Sequence, residues 1–120
     1  MHPHAEKAAE AARCADSQGK FWDYHNELFA RQKLDVADLK QDAHKLNLDT
    51  AAFDKCLDSG AEANVVKSQI TESQNLSIPG TPAFFINGRF MSGVPATSNL
   101  KEVIDQELAI AKQPRQTARR

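Results

Sequence analysis

The stretch from Ile78 to Gly93, IPGTPAFFINGRFMSG, constrains this chain most, because it is where helical periodicity gives way to strand chemistry. Asn87-Gly88 supplies the two positive-φ positions of a type I′ turn, and the short apolar runs Ala83 to Ile86 and Arg89 to Met91 flank it, so a β-hairpin is predicted. Pro79 and Pro82 bracket Gly80-Thr81 and stop any helix from running into the first strand. The same spacing makes Thr81-Pro82 a candidate for a cis peptide bond. Phe84, Phe85 and Ile86 put large apolar groups on both faces of the strand, the pattern of a strand covered on both sides. A two-stranded ribbon by itself leaves unpaired edges and is marginal in water, so the hairpin reads as part of a larger sheet.

Helical patterns fill the rest. His2-Pro3-His4 leads into a helix over 5–18 built on alanine and charge, with Ala5, Ala8, Ala9, Ala12 and Ala15 as a small-residue stripe and Gly19 as its stop. In the second helix, from Lys20 to about Gln32, Phe21, Tyr24, His25, Leu28 and Phe29 share one face, marked as core. Asp35 caps a third helix carrying Val36, Leu39, Ala43 and Leu46, with Asn47 after its end. Asp49 caps a fourth that presents Phe53, Cys56 and Leu57 and stops at Gly60. A fifth, over 61–74, turns Ala63, Val66 and Ile70 inward. After the hairpin, Thr97 or Ser98 caps a last helix with Leu100, Val103, Ile104, Leu108 and Ala111 on one stripe. The fold class expected is therefore α+β and mostly helical: five helices, one hairpin and one closing helix.

Few chemical functions fit the side chains. Cys14 and Cys56 are too far apart for a C-x-x-C motif and can be two free thiols or one disulfide. His2 and His4 lie at the chain start, His25 on the aromatic face and His44 on the polar side of its helix, so no metal site is expected. No carboxylate pair, phosphate loop or Ser/His/Asp order stands out, and neither a catalytic residue nor a cofactor is assigned. Lys112, Arg115, Arg119 and Arg120 give the last nine residues +4, which leaves −5 for residues 1–111 from a total of −1. With no interleaved aromatics and an acidic body, this basic tail over 112–120 argues for a solvated end rather than a nucleic-acid contact. There is no run of about 18 apolar residues and no apolar segment after Met1, so neither a membrane span nor a signal peptide is expected, and the placement expected is cytoplasmic.

Four blocks together carry a family resemblance: Ala11-Ala12-Arg13-Cys14-Ala15; Gln18-Gly19-Lys20-Phe21-Trp22-Asp23-Tyr24-His25; Phe53-Asp54-Lys55-Cys56-Leu57-Asp58-Ser59-Gly60; and Gly80-Thr81-Pro82 with Asn87-Gly88. In this order the chain resembles DsbA-like thioredoxin-fold proteins. The resemblance implies a single domain over 1–111, with a helical insertion over 3–77 and then the cis-proline loop, hairpin and closing helix over 78–111. It implies that Pro82 is the cis proline, and that Thr81 and Pro82 face the site where the family binds extended peptide. It also implies that Cys14 and Cys56 form a structural disulfide between two helices of the insertion. In the family a first strand, a C-x-x-C helix and a second strand come before the part seen here, so the fold expected is a truncated one.

Without the C-x-x-C, the function expected is a protein- or peptide-binding or scaffold module. The alternative is a thiol-disulfide oxidoreductase that uses Cys14, Cys56 or a partner chain's cysteine. Family members are usually periplasmic or exported, against the cytoplasmic placement read from the residues. The two-faced strand leads to one further expectation, a homodimer in which Phe84 to Asn87 or Arg89 to Ser92 lies antiparallel to its copy.

Overall fold

A computed structural model describes residues 2–115 and contains six helices and one two-stranded sheet. The basic-tail residues Arg119 and Arg120 lie outside the described residues. The chain forms two compact units, one up to Gln74 and one from Asn75 onward.

The first unit holds α1 (Ala5–Asp16), α2 (Phe21–Arg31), α3 (Val36–Lys45), α4 (Thr50–Asp58) and α5 (Ala63–Asn75), the last of which ends at the unit boundary. α1, α3 and α4 all stop by one device. Beyond each end, the N–H of Lys20, Leu48 or Ala61 reaches back to the carbonyl of Ala15, Ala43 or Cys56. The residue before it, Gly19, Asn47 or Gly60, takes a left-handed φ, which makes each end a Schellman cap. Asp49 accepts from the Ala52 N–H and caps α4 as expected. Asp35 stands at the N-cap of α3 without a side-chain bond.

The alanines of α1 do what small residues allow: α2, α3 and α4 all pack against this helix. The core consists of Ala11, Ala15, Tyr24, Leu39, Phe53 and Leu57 with smaller neighbours, and the Tyr24 and Phe53 rings lie 5.5 Å apart. The buried face of α1 is turned from the expected stripe, since Ala11 and Cys14 are buried while Ala9 is exposed. Only Tyr24 of the aromatic face of α2 is fully buried; Phe21, His25 and Leu28 are half-buried and Phe29 is 69% exposed. The apolar arc of α2 is wider than its neighbours cover, so its far flank faces outward. Val36, expected inward, is exposed at the first turn of α3, and Val66 is the one buried residue of α5.

The second unit holds β1 (Ala83–Ile86), β2 (Arg89–Ser92) and α6 (Thr97–Ala111). The hairpin is where the sequence put it. Asn87 and Gly88 have φ of 50° and 83°, the pair of left-handed conformations a type I′ turn needs. Ala96, not Thr97 or Ser98, is the N-cap residue of α6, and it has no side-chain bond to give. Leu100 and Val103 are half-buried, whereas Ile104, Leu108 and Ala111 of the same expected stripe are exposed, because two short strands cannot cover the full arc of a fifteen-residue helix.

Candidate functional site

In the second unit, the loop before β1 and the hairpin are one continuous device. Gly80, Thr81 and Pro82 are exposed, and the Thr81–Pro82 peptide bond is cis. Strand pairing starts immediately after it, with Ala83 opposite Ser92, Phe84 opposite Met91, Phe85 opposite Phe90 and Ile86 opposite Arg89. The Gly93 N–H donates to the Pro82 carbonyl at 2.9 Å, so the ladder reaches back to the proline and ties its backbone to the end of β2. Arg89 donates to the Gln106 side chain at 2.8 Å and lies 3.6 Å from Glu107, which pins β2 to α6.

One hairpin face is turned from α6. The Phe85 and Phe90 rings, 5.1 Å apart, remain 47% and 45% exposed there. Within this unit, the strand expected to be covered on both sides is covered on one, by α6.

In the first unit, Cys14 of α1 and Cys56 of α4 are joined in a disulfide with Cα atoms 5.9 Å apart. Cys14 is only 1% exposed. The sequence has two cysteines, so no thiol remains. Polar clamps surround the bond: Lys7 donates to the Leu57 carbonyl at 2.7 Å, and Arg13 binds Glu62 at the same distance.

A buried ionic group here went unnoticed in the sequence. Asp42 of α3 is fully buried and accepts from Arg31 of α2, which also reaches Asp38. Its second oxygen, Oδ2, has no partner. Burial pushes the Asp42 carboxyl above its usual range, against the pull of Arg31. The Tyr24 hydroxyl donates to the Leu39 carbonyl at 2.9 Å, and burial, with the Asp42 charge second, pushes its phenol up. The signal was available, since Asp42 falls between Leu39 and Leu46 on the apolar side of α3.

His25 stacks between Phe21 and Phe29, with ring centroids at 6.0 and 4.8 Å, and His44 is exposed. Among the described residues no group of three His, Cys, Asp or Glu side chains is placed to hold a metal ion, and no helix is long and apolar enough to cross a membrane.

Comparison with known proteins adds to this geometry. A family profile described as Thioredoxin matches residues 2–106. The "Na(+)/H(+) antiporter NhaA 3" of Salinispora tropica is 41% identical over 90 residues, which are 74% of this chain and 14% of that protein. The "Na(+)/H(+) antiporter NhaA" of Herminiimonas arsenicoxydans is 36% identical over 93 residues, 77% of this chain and 15% of that protein. "Na(+)/H(+) antiporter NhaA 1" of Salinispora arenicola matches like the first, at 41% over 90 residues, 74% of this chain and 14% of that protein. The chain therefore spans about a seventh of the length of these relatives. No solved structure matches. A profile that runs over nearly all the described residues, on a chain with this proline loop and hairpin, places the protein in the thioredoxin family.

Proposed function

We propose that this chain is a DsbA-like member of the thioredoxin family that binds segments of other proteins and performs no disulfide exchange by itself. One observation carries the reading: its two cysteines are bonded to each other, Cys14 out of reach of solvent. Exchange needs a thiolate to reach a disulfide sulfur: the oxidised chain has no thiolate of its own, and the Cys14 sulfur of its bond is closed to one arriving from outside. The exposure of Thr81 and Pro82 at the head of a strand supports the binding role. The reading takes residues 1–111 as one DsbA-like domain.

A disulfide between α1 and α4 favours an oxidising compartment over the cytoplasm. The similarity to part of proteins named as Na(+)/H(+) antiporters supports a place beside a membrane transporter, as the thioredoxin-like part of such an assembly.

The test pairs a turnover assay with a binding assay. In insulin reduction the chain should match the uncatalysed rate. Reduced, carboxymethylated α-lactalbumin, a permanently unfolded polypeptide, should shift amide resonances at Thr81, Ala83 and Phe85. Turnover that disappears in Cys14→Ser or Cys56→Ser would replace this reading with the oxidoreductase one. An absence of shifts at Thr81 would remove the binding role.

A further inference from the structure

The two ends of the Cys14–Cys56 bond have different surroundings. Cys14 is 1% exposed and belongs to the core with Ala11 and Ala15, so no segment added outside can change how it is enclosed. Cys56 is only half-buried and lies at the margin of that core. On α4, Phe53 and Leu57 mark the inward side, and Cys56, three residues after Phe53, stands about 60° round the helix from it. The next positions out on the same flank are Ala52 and Ser59, both exposed and both short. The approach to the Cys56 sulfur is therefore lined by small side chains.

This approach is separate from the apolar groove of the first unit. That groove is lined by Ala9, Phe29 and Val66, and Ala9 is five residues before Cys14, about 140° round α1 from it. Whatever fills the groove lies across α1 from the disulfide.

We propose that the bond opens from one end only: Cys56 is the site where a small thiol attaches, and Cys14 is the thiol that expels it again. An external thiolate attacks the Cys56 Sγ. A sulfur–sulfur bond to the small thiol forms as the bond to Cys14 breaks, and the electron pair passes to the Cys14 Sγ, which ends as a thiol with a proton taken from water. In the reverse step Cys14 gives up that proton, attacks the Cys56 Sγ and releases the small thiolate unchanged. With Cα atoms 5.9 Å apart, the two cysteines stay within bonding reach for as long as α1 and α4 hold their places. A second thiolate that attacks the attached small thiol at its own sulfur takes it away as a small-molecule disulfide and leaves both cysteines reduced. The first unit thus loses its cross-link in response to thiols, with no C-x-x-C of its own. The exchange is stoichiometric, and it stands whether or not the proline loop binds polypeptide.

Reduced glutathione is the probe. Oxidised wild type is exposed to it briefly in the folded state, quenched with acid, digested and read by mass spectrometry. Glutathione should be found on Cys56 in at least about tenfold excess over Cys14, and the excess should vanish in denaturing urea, where neither sulfur is enclosed. The rate of opening should stay flat as urea rises toward the unfolding transition, because no unfolding is needed. A side chain on a helix leans back over the preceding turn, so Ser59→Trp covers Cys56; this exposed substitution keeps the helical circular dichroism and should slow opening at least about tenfold. Glutathione on Cys14 in the folded chain, an opening rate that climbs with urea in step with unfolding, or a Ser59→Trp variant that folds and opens as fast as wild type each overturns the proposal.

Discussion

Opening the disulfide between Cys14 and Cys56 should cost the first unit most of its stability. The bond closes a loop of 42 residues, running from α1 through α2 and α3 to α4. In the chain-entropy treatment a loop of that length restricts the unfolded ensemble by about 13 cal/mol/K, or ~4 kcal/mol at room temperature. The Lys7 bond to the Leu57 carbonyl and the shared core of alanines, Phe53 and Leu57 act in the folded state and leave this unfolded-state term in place. For a unit of this size the loss corresponds to a fall in Tm of roughly 15–30 °C. The comparison is urea unfolding, followed at 222 nm, of wild type with and without reductant and of the Cys14→Ala/Cys56→Ala double variant. Reduced wild type and the variant should agree, both ~4 kcal/mol below the oxidised chain. A difference under about 1 kcal/mol would show that helix packing by itself holds α1 to α4, and would refute the view of the bond as the staple of this unit.

Three further outcomes follow from single contacts. Tyr24→Phe removes the hydroxyl that donates to the Leu39 carbonyl inside the core and should lower stability by about 1 kcal/mol in urea unfolding; no change would mean that this bond contributes nothing net. Asp42 is held above its usual pKa by burial, so the folded unit takes up its proton at a higher pH than the unfolded chain does. The resulting stability is fully present below the unfolded carboxylate value, and it is lost as pH rises through the raised folded value. Wild type should therefore gain on Asp42→Asn as pH falls from 7 to 4, and a relative loss over that range would contradict the assignment. Gly88→Val forces a β-branched residue into a φ of 83° and should cost the hairpin about 1–2 kcal/mol, visible as weakened cross-strand contacts between Phe85 and Phe90 in NMR spectra.

Local chemistry made much of this protein legible from its residues. Asn87-Gly88 admits one kind of turn, and that turn places the two strands and their register. Gly19, Asn47 and Gly60 mark helix ends because a left-handed residue there lets the next N–H reach back to an otherwise unpaired carbonyl. Pro79 and Pro82 exclude a helix wherever they stand. These are short-range effects, decided within five or six residues, and the structure repeats them with shifts of one or two positions. How much of an apolar arc is covered is a different matter, because it depends on which neighbours arrive and how wide they are. Phe29 and Val36 lie on apolar stripes but face outward, and Ile104 and Leu108 are uncovered because two strands are narrower than the helix they carry. The pairing of Cys14 with Cys56, left open between thiols and a bond by the residues themselves, is settled by how α1 and α4 cross. The same holds for Asp42. Its position on α3 shows that it is buried, but only the packing of α2 against α3 brings Arg31 to one oxygen and leaves the other without a partner.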